Sequence, residues 1–216
     1  SEPDMNFLGA LKSLLESQKT EDRTTTVNKK LTAKRKHLVD NNQLVKALST
    51  IQADSQQQPL AEISSLSAVD LRGQLAFALP NAGPLSSQNI GQTNDDIIDI
   101  ISLLFDFILD DKNLPDVFKA LIGRLQIPIL KVAIIDQTFL SKGNHPARKL
   151  LNEMAHAGVG WTENAETGSF GLCAKVEKIV AKIIDEFDDD TSLFADALIE
   201  FHEFMEAHRN RTSLLE

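Results

Sequence analysis

Apolar residues recur at steps of three and four along most of the chain, the spacing of one face of an α-helix. Residues 95–111 are the densest stretch, with apolar side chains around most of the helix circumference. Five of the seven polar residues of this stretch step by four, three, four and four: Asp95, Asp99, Ser102, Asp106 and Asp110. So narrow a polar stripe predicts a helix with neighbours on several sides. Thr93 or Asn94 is its expected N-cap.

The segment "IPILKVAIID", residues 127–136, is almost wholly apolar. Its β-branched content is compatible with a buried strand, but the neighbouring sequence offers no partner strands, so a helix is favoured. Pro128 lacks a backbone donor and is expected to kink or restart the helix. Further on, Asn144 or His145 is expected to cap a helix that ends at Gly158.

Two amphipathic stretches close the chain, joined by the short polar run "DDDTS". The first carries a heptad-like apolar seam, and Thr191 or Ser192 is expected to cap the second. Two such helices predict a C-terminal antiparallel hairpin. The fold class is therefore all-α, a multi-helix bundle with this hairpin and an N-terminal helical arm.

Composition shifts divide the chain into three parts. Residues 1–52 are a basic, amphipathic helical arm, whose first apolar stripe lies in residues 5–18. Residues 53–93 are a linker with one short helix, which Ser67 or Asp70 is expected to cap. Residues 94–216 are expected to form the compact helical core.

Charge separates the arm from the body. The chain has 22 basic and 31 acidic residues, a net charge of −9. Between Lys12 and Lys46 there are nine basic and four acidic residues, a net of +5, so the remainder carries −14. An acidic body argues against nucleic-acid binding, and residues 12–46 contain no aromatic side chain for stacking on bases. The arm's charge is expected either to face solvent or the acidic body, or to contact an acidic partner, RNA or a membrane surface.

Composition also bears on localisation. With 42 % hydrophobic residues among 216, the chain is large enough for one packed core. A single cysteine, Cys173, excludes a disulfide framework and fits a reducing, cytoplasmic setting. No apolar run reaches the roughly 18–20 residues of a membrane span, and no signal-peptide pattern precedes the first helix.

Catalytic motifs are sparse. The sequence contains no GxxxxGK[ST], GxGxxG or GxSxG motif, and no cofactor is expected. Glu153 and His156 have the E-x-x-H spacing of di-iron bundles, but no second E-x-x-H accompanies them. They are weak candidates for a metal pair, which a metal-dependent hydrolase would need.

Four cationic or imidazole side chains are candidate ligand-binding residues: Arg124, Lys131, His145 and Arg148. One interpretation is structural, because a lone lysine inside an apolar helix needs an acid, and Asp99, Asp106 or Asp136 is the expected partner of Lys131. The other is a site for a small anion or a partner peptide at the start of the helix that follows His145.

Three runs carry a resemblance to a known family: "FDFILDDKNLP", "LIGRLQIPILKVAIID" and "HPARKLLNEMA". They resemble the central region of the bacterial domain-of-unknown-function family sixteen thirty-one, over about residues 90–208. The resemblance implies a cytosolic bacterial protein without an assigned reaction, and it supplies no catalytic residues. Family members are longer, so the chain is expected to be a fragment. Some members are labelled thymidine phosphorylase, yet no nucleoside-site motif occurs here.

Three functions follow as hypotheses. The leading one is a non-enzymatic protein-interaction or scaffolding module of a larger bacterial regulatory protein, with partner binding or self-association through residues 1–52. The alternative is a regulatory domain that binds an anionic metabolite or nucleotide. The third is the metal-dependent hydrolase.

Overall fold

The structure is a computed structural model of the chain, and the residues it describes are 38–55, 66–79, 85, 87–161 and 171–213. Their backbone forms ten helical segments and no strand, which confirms the all-α, multi-helix fold. The segments are α1 (Asn41–Ser55), α2 (Ala68–Ala78), α3 (Ser87–Ile90), α4 (Gln92–Leu109), α5 (Asp116–Gly123), α6 (Gln126–Ile135), α7 (Thr138–Ser141), α8 (Pro146–Val159), α9 (Leu172–Glu186) and α10 (Ser192–Ser213). Within the described ranges, no helix combines the length and apolar composition needed to cross a bilayer.

The helix α6 lies at the centre of the core. Its residues from Gln126 to Ile134 are all buried, and it packs against α1, α4 and α7. The prediction of a helix rather than a strand is confirmed. Pro128 falls in the first turn of α6, where its missing N–H breaks no intrahelical hydrogen bond. Because α5 ends at Gly123, the chain restarts a helix around this proline, as predicted.

The helices α1 and α2 belong to the same core. Leu48 of α1 and Leu71 of α2 have no exposed surface, and α1 packs against both α2 and α6. The core therefore extends into segments that the sequence assigned to the arm, 1–52, and to the linker, 53–93. The rest of the arm, residues 1–37, lies outside the described residues.

The start of α4 differs from the prediction. The helix begins directly after Gly91, which has a φ of 83° and caps without a side chain. Glycine adopts this left-handed conformation without strain, so the expected cap at Thr93 or Asn94 is wrong. Asn94 is buried instead, and its Nδ2 donates to the carbonyl oxygen of Ile90 (2.9 Å) and to Oδ1 of Asn41 (2.8 Å). Its side chain thereby links α4 to α1.

Part of the acidic stripe of α4 binds α2. Nη2 of Arg72 donates to Oδ1 of Asp95 (2.6 Å) and to Oδ1 of Asp99 (2.8 Å), and Nε donates to Asp95 at 2.9 Å. The N-terminus of α2 carries a reciprocal capping box between Ser67 and Asp70. These contacts fix α2 on the side of α4 that carries the stripe.

Helix α8 starts as predicted and ends one residue late. His145 is the N-cap, and its Nδ1 accepts the N–H of Ala147 at 3.2 Å. Gly158 does not end the helix, because α8 continues to Val159. A Cβ at position 158 would lie 2.7 Å from Cδ1 of Phe118 and 2.8 Å from Cδ1 of Leu114. Glycine is therefore needed here for the close approach of α8 to the segment around α5.

The last two helices pack against each other. Helix α10 begins at Ser192, directly after Thr191, and Oδ1 of Asp190 accepts the N–H of Ser192 at 2.9 Å. Between the helices, Nζ of Lys175 donates to Glu200 at 2.6 Å. The antiparallel hairpin itself stays a prediction. All members of the predicted seam of α9 are buried, namely Leu172, Val176, Ile179, Ile183 and Phe187.

Candidate binding groove

A groove opens between α4 and α8, beside the turn that leads into α5, and encloses a cavity of about 160 Å³. Both walls use residues spaced by three and four, so each helix presents a single face to it. Its lining residues are Leu104, Phe107, Ile108, Asp111, Leu114, Arg148, Asn152, Ala155, His156 and Val159.

Both walls carry large apolar side chains that stay in contact with solvent. Phe107 of α4 is 58 % exposed and Val159 of α8 is 42 % exposed. Leu103, one helical turn before Phe107, is also exposed, so the apolar surface continues along α4 beyond the cavity. Burying a side chain of this size is worth about 1.5–3 kcal/mol. The groove is therefore a surface that gains stability when another molecule covers it.

The buried wall of the groove carries a cation. Arg148 is only 5 % exposed and lies in the first turns of α8, on the face that lines the cavity. Its guanidinium is charged at every physiological pH and has five N–H donors. Asn152 lies one turn further along α8, and the exposed His156 one turn beyond that. The three polar side chains therefore form a row along one wall of the groove.

The acidic stripe of α4 faces away from the groove. At roughly 100° of rotation per residue, Asp99, Asp106 and Asp110 lie on the side of α4 opposite Leu104 and Ile108. The hydrogen bonds of Asp99 to Arg72 of α2 agree with this placement. Asp111 is the carboxylate that does line the groove, and its Oδ1 accepts from the backbone N and the Nδ2 of Asn113.

His145 lies just before this wall and acts as a cap. Because Nδ1 accepts the N–H of Ala147, the neutral ring carries its proton on Nε2, 3.4 Å from Oδ2 of Asp136. Burial lowers the pKa of His145, against the opposing effect of Asp136. Hydrogen bonds from Thr138, with a smaller effect of His145, lower the pKa of Asp136. His145 does not line the cavity, so its described role is to start α8.

Lys131 lies in a separate, closed environment. Its side chain has no exposed surface, and Nζ donates to the carbonyl oxygen of Phe187 (3.0 Å) and to Oε1 of Gln52 (3.5 Å). Nζ is also 4.7 Å from the centre of the Phe187 ring and 3.9 Å from Oδ1 of Asp188. Burial lowers the pKa of Lys131, while the charges of Asp188 and Asp189 oppose that shift.

The expected acids for Lys131 are wrong. Asp99 binds Arg72 of α2, and Asp136 faces His145. Asp106, the third expected acid, lies on the face of α4 away from the groove. The carboxylate next to Lys131 is that of Asp188, in the turn between α9 and α10.

The four candidate ligand-binding residues do not meet in one pocket. Arg124 is the half-buried C-cap residue of α5, and Lys131 is enclosed by α1 and the turn after α9. His145 and Arg148 are one turn apart on α8, but of the four only Arg148 lines the groove. Joint binding of an anion by all four stays a prediction.

The E-x-x-H pair separates in the structure. Oε2 of Glu153 hydrogen-bonds Nε2 of His202 on α10, whereas His156 lines the groove. In the described ranges no three His, Cys, Asp or Glu side chains cluster as metal ligands. The hydrogen bond between Glu153 and His202 thus links α8 to α10, whereas the His156 side chain lies on the wall of the groove.

Sequence reasoning missed Phe107 and Arg72. Phe107 breaks the expectation that apolar residues of 95–111 are buried, and its position next to the polar Asp106 is a weak signal of that exposure.

Trp161, just past α8, packs on Phe118 with ring centres 5.5 Å apart, and its Nε1 is buried without a hydrogen-bond partner in the described residues.

In the part of the chain that the structure describes, the fold and the groove define an all-helical domain with a mixed apolar and cationic surface recess. The chain belongs to the family described as protein of unknown function (DUF1631), 2nd domain, whose sequence model matches residues 38–190. No curated protein and no solved structure matches the chain.

Proposed function

We propose that this domain is a non-enzymatic protein-interaction module of a larger, cytoplasmic bacterial regulatory protein, and that it binds a segment of its partner in the groove between α4 and α8. The observation that carries the proposal is the pair of exposed apolar walls, Phe107 and Val159, on either side of a preformed cavity. Exposed apolar surface next to a recess is typical of protein-interaction sites. Residues 1–52 would supply a second contact, to the partner or to another copy of the chain.

The cavity volume favours this function over binding of a metabolite. At about 160 Å³, it is smaller than the roughly 300–1,000 Å³ of typical small-molecule pockets. It fits one protein side chain, with the exposed walls left for the rest of a partner segment. The alternative, a regulatory site for an anionic metabolite or nucleotide, is favoured by the buried Arg148 alone. Stabilisation of the domain by millimolar nucleotide or phosphate in a thermal-shift assay would support that alternative.

Binding by the full chain tests the proposal. A partner is first identified by co-purification, and its affinity for the purified chain is then measured by calorimetry. Phe107→Ser is expected to weaken binding at least about tenfold, because it removes one wall of the groove. Ile199→Ser is the matched control, since Ile199 is 57 % exposed but lies on α10 outside the groove. Equal affinities of the two variants would refute the groove as the binding site.

A further inference from the structure

We infer that residues 5–18 of the same chain cover the groove and compete with the partner for it. The apolar stripe of this segment would lie against the exposed walls of α4 and α8 until a partner displaces it. This inference rests on the proposed function and specifies how the proposed site is regulated. Residues 5–18 lie outside the described residues, and their pattern, their distance along the chain and the charge of the connecting segment link them to the groove.

The apolar pattern of residues 5–18 suits a groove between two helices. Its large apolar residues recur at steps of one, three, three and one, and they are Phe7, Leu8, Leu11, Leu14 and Leu15. This spacing predicts a single helix face, and helices with such anchors bind in apolar grooves. At a rise of 1.5 Å per residue, the stripe would be about 12 Å long, and the α8 wall between residues 148 and 159 is about 16 Å long. The stripe therefore fits within the length of the groove.

The apolar surface at the groove is wider than one side chain. Leu103 is 38 % exposed, Phe107 is 58 % exposed and Val159 is 42 % exposed. The cavity of about 160 Å³ beside them has room for one further side chain. A helix face with five large apolar residues would place one of them in the cavity and the others on these walls.

The segment lies close enough along the chain to reach the groove. The described residues begin beside the start of α4, because the backbone N–H of Val39 donates to the carbonyl oxygen of Asn89 at 2.8 Å. From Asn94 to Phe107, α4 rises by about 20 Å. The connecting segment, residues 19–37, has 19 residues. A helix of that length spans about 28 Å and a flexible chain roughly 22–26 Å, so either conformation reaches the groove.

This match of span and distance favours contact within one chain over contact between two chains. A connection of matching length raises the local concentration of the attached segment to about the millimolar range. A contact with a Kd of about 0.1 mM would then be closed in about 90 % of the molecules. Between separate chains at micromolar concentration, the same contact would be largely open.

Charge favours a path along α4. The connecting segment, residues 19–37, contains seven basic and two acidic residues, a net charge of +5. On the solvent side of α4, the half-buried Asp106 and the exposed Asp110 lie on either side of Phe107 in the sequence. Opposite charges attract within the roughly 8–10 Å that physiological salt leaves unscreened. The basic segment is therefore expected to follow the acidic side of α4 toward the groove.

Disulfide trapping in the full chain tests the inference. In a Cys173→Ser background, Leu11→Cys is combined with Val159→Cys on the groove wall, and oxidation is followed by mass spectrometry and non-reducing gels. We expect a disulfide within one chain, formed at a rate that does not depend on protein concentration. The matched control combines Leu11→Cys with Ile199→Cys, because Ile199 is 57 % exposed on α10, outside the groove. The groove pair is expected to close at least about tenfold faster than the control pair.

Two results of the trapping would overturn the inference. The first is an equal rate for the groove pair and the control pair. The second is a disulfide-linked dimer as the main product, which would place the segment on a second copy of the chain.

Partner binding separates the inference from the proposed function. The oxidised groove pair, with the segment locked in place, is expected to bind the partner at least about tenfold more weakly than the same chain after reduction. Slow trapping, together with weakened partner binding in Phe107→Ser, would refute the inference alone. Fast trapping, together with equal partner affinity of the oxidised and reduced chains, would refute the groove as the partner's site and with it the regulation.

Discussion

Gly158 provides a sharp test of how α8 is held against the neighbouring helix. Replacing it by alanine adds a Cβ that lies 2.7 and 2.8 Å from two ring atoms of Phe118 and 2.8 Å from Cδ1 of Leu114. Carbon atoms pack at about 3.5–4.0 Å, so each neighbour must move by roughly 0.7–1.3 Å. Phe118 and Leu114 are both buried, and Leu114 also borders the cavity of the groove.

The expected magnitude follows from two opposed effects. Alanine is a better helix former than glycine by about 1 kcal/mol. Overpacking of a buried contact costs about 1–3 kcal/mol. The net change for Gly158→Ala is thus a destabilisation between about zero and 2 kcal/mol. Because Leu114 also lines the groove, the same substitution is expected to narrow the groove and weaken partner binding.

Gly73→Ala is the control that isolates the packing effect. Gly73 lies inside α2, is exposed, and has nothing within 4 Å of the added Cβ, so the substitution keeps only the helix-forming gain. In urea denaturation, the free energies of unfolding of the two variants are expected to differ by roughly 1–3 kcal/mol. If Gly158→Ala proves as stabilising as Gly73→Ala, the close approach of α8 to Phe118 is refuted.

Three further outcomes follow from the buried and capping groups. Lys131→Met is expected to keep or raise the free energy of unfolding at pH 7. In the wild type, the lowered pKa of Lys131 makes the free energy of unfolding rise toward pH 10.5 by up to about 1.4 kcal/mol per pH unit, and the substitution should abolish that rise. A decrease of the unfolding free energy by more than about 3 kcal/mol at pH 7 would contradict the first expectation. Because burial lowers the pKa of His145 in the folded state, its contribution to the free energy of unfolding is fully present above about pH 6.5. That contribution is lost as the pH falls through the folded-state pKa. His145→Asn keeps an N-cap acceptor and is expected to flatten that dependence in thermal melts between pH 7.5 and 5. Ser67→Ala removes the capping box of α2 and is expected to lower the unfolding free energy by about 1 kcal/mol, whereas an unchanged urea midpoint would show that the cap is not formed.

Local patterns predicted the helices, because their causes lie within a few residues. The apolar periodicity of α4, the proline at the start of α6 and the cap at His145 each act over one or two helical turns. Even so, periodicity did not locate the start of α4, since Gly91 caps through its backbone conformation and presents no capping side chain. The local pattern likewise predicts a helix stop at Gly158, although the role of Gly158 is set by Phe118, 40 residues away.

Pairings between distant segments were beyond the sequence. Lys131 and Asp188 meet because α1, α6 and the turn after α9 converge. The spacing of apolar residues at three and four positions holds no information on which helices become neighbours. The same limit explains why the sequence pattern pairs Glu153 with His156, three residues away, and not with His202 on α10. A groove between two helices likewise depends on how those helices pack. The sequence alone therefore could not predict that Phe107 of α4 and Arg148 of α8 line the same groove.

The two buried cations differ in what surrounds them. Lys131 is enclosed by oxygen atoms and an aromatic ring of its own chain, and these groups stabilise its charge inside the fold. Arg148 is nearly as buried, but one side of its surroundings is an open cavity. A charged group is costly to remove from water, and a fold optimised for stability alone would place an apolar residue at either position. At Lys131 the charge fixes the turn after α9 against α6, whereas Arg148 lies on the wall of a cavity that opens to the surface.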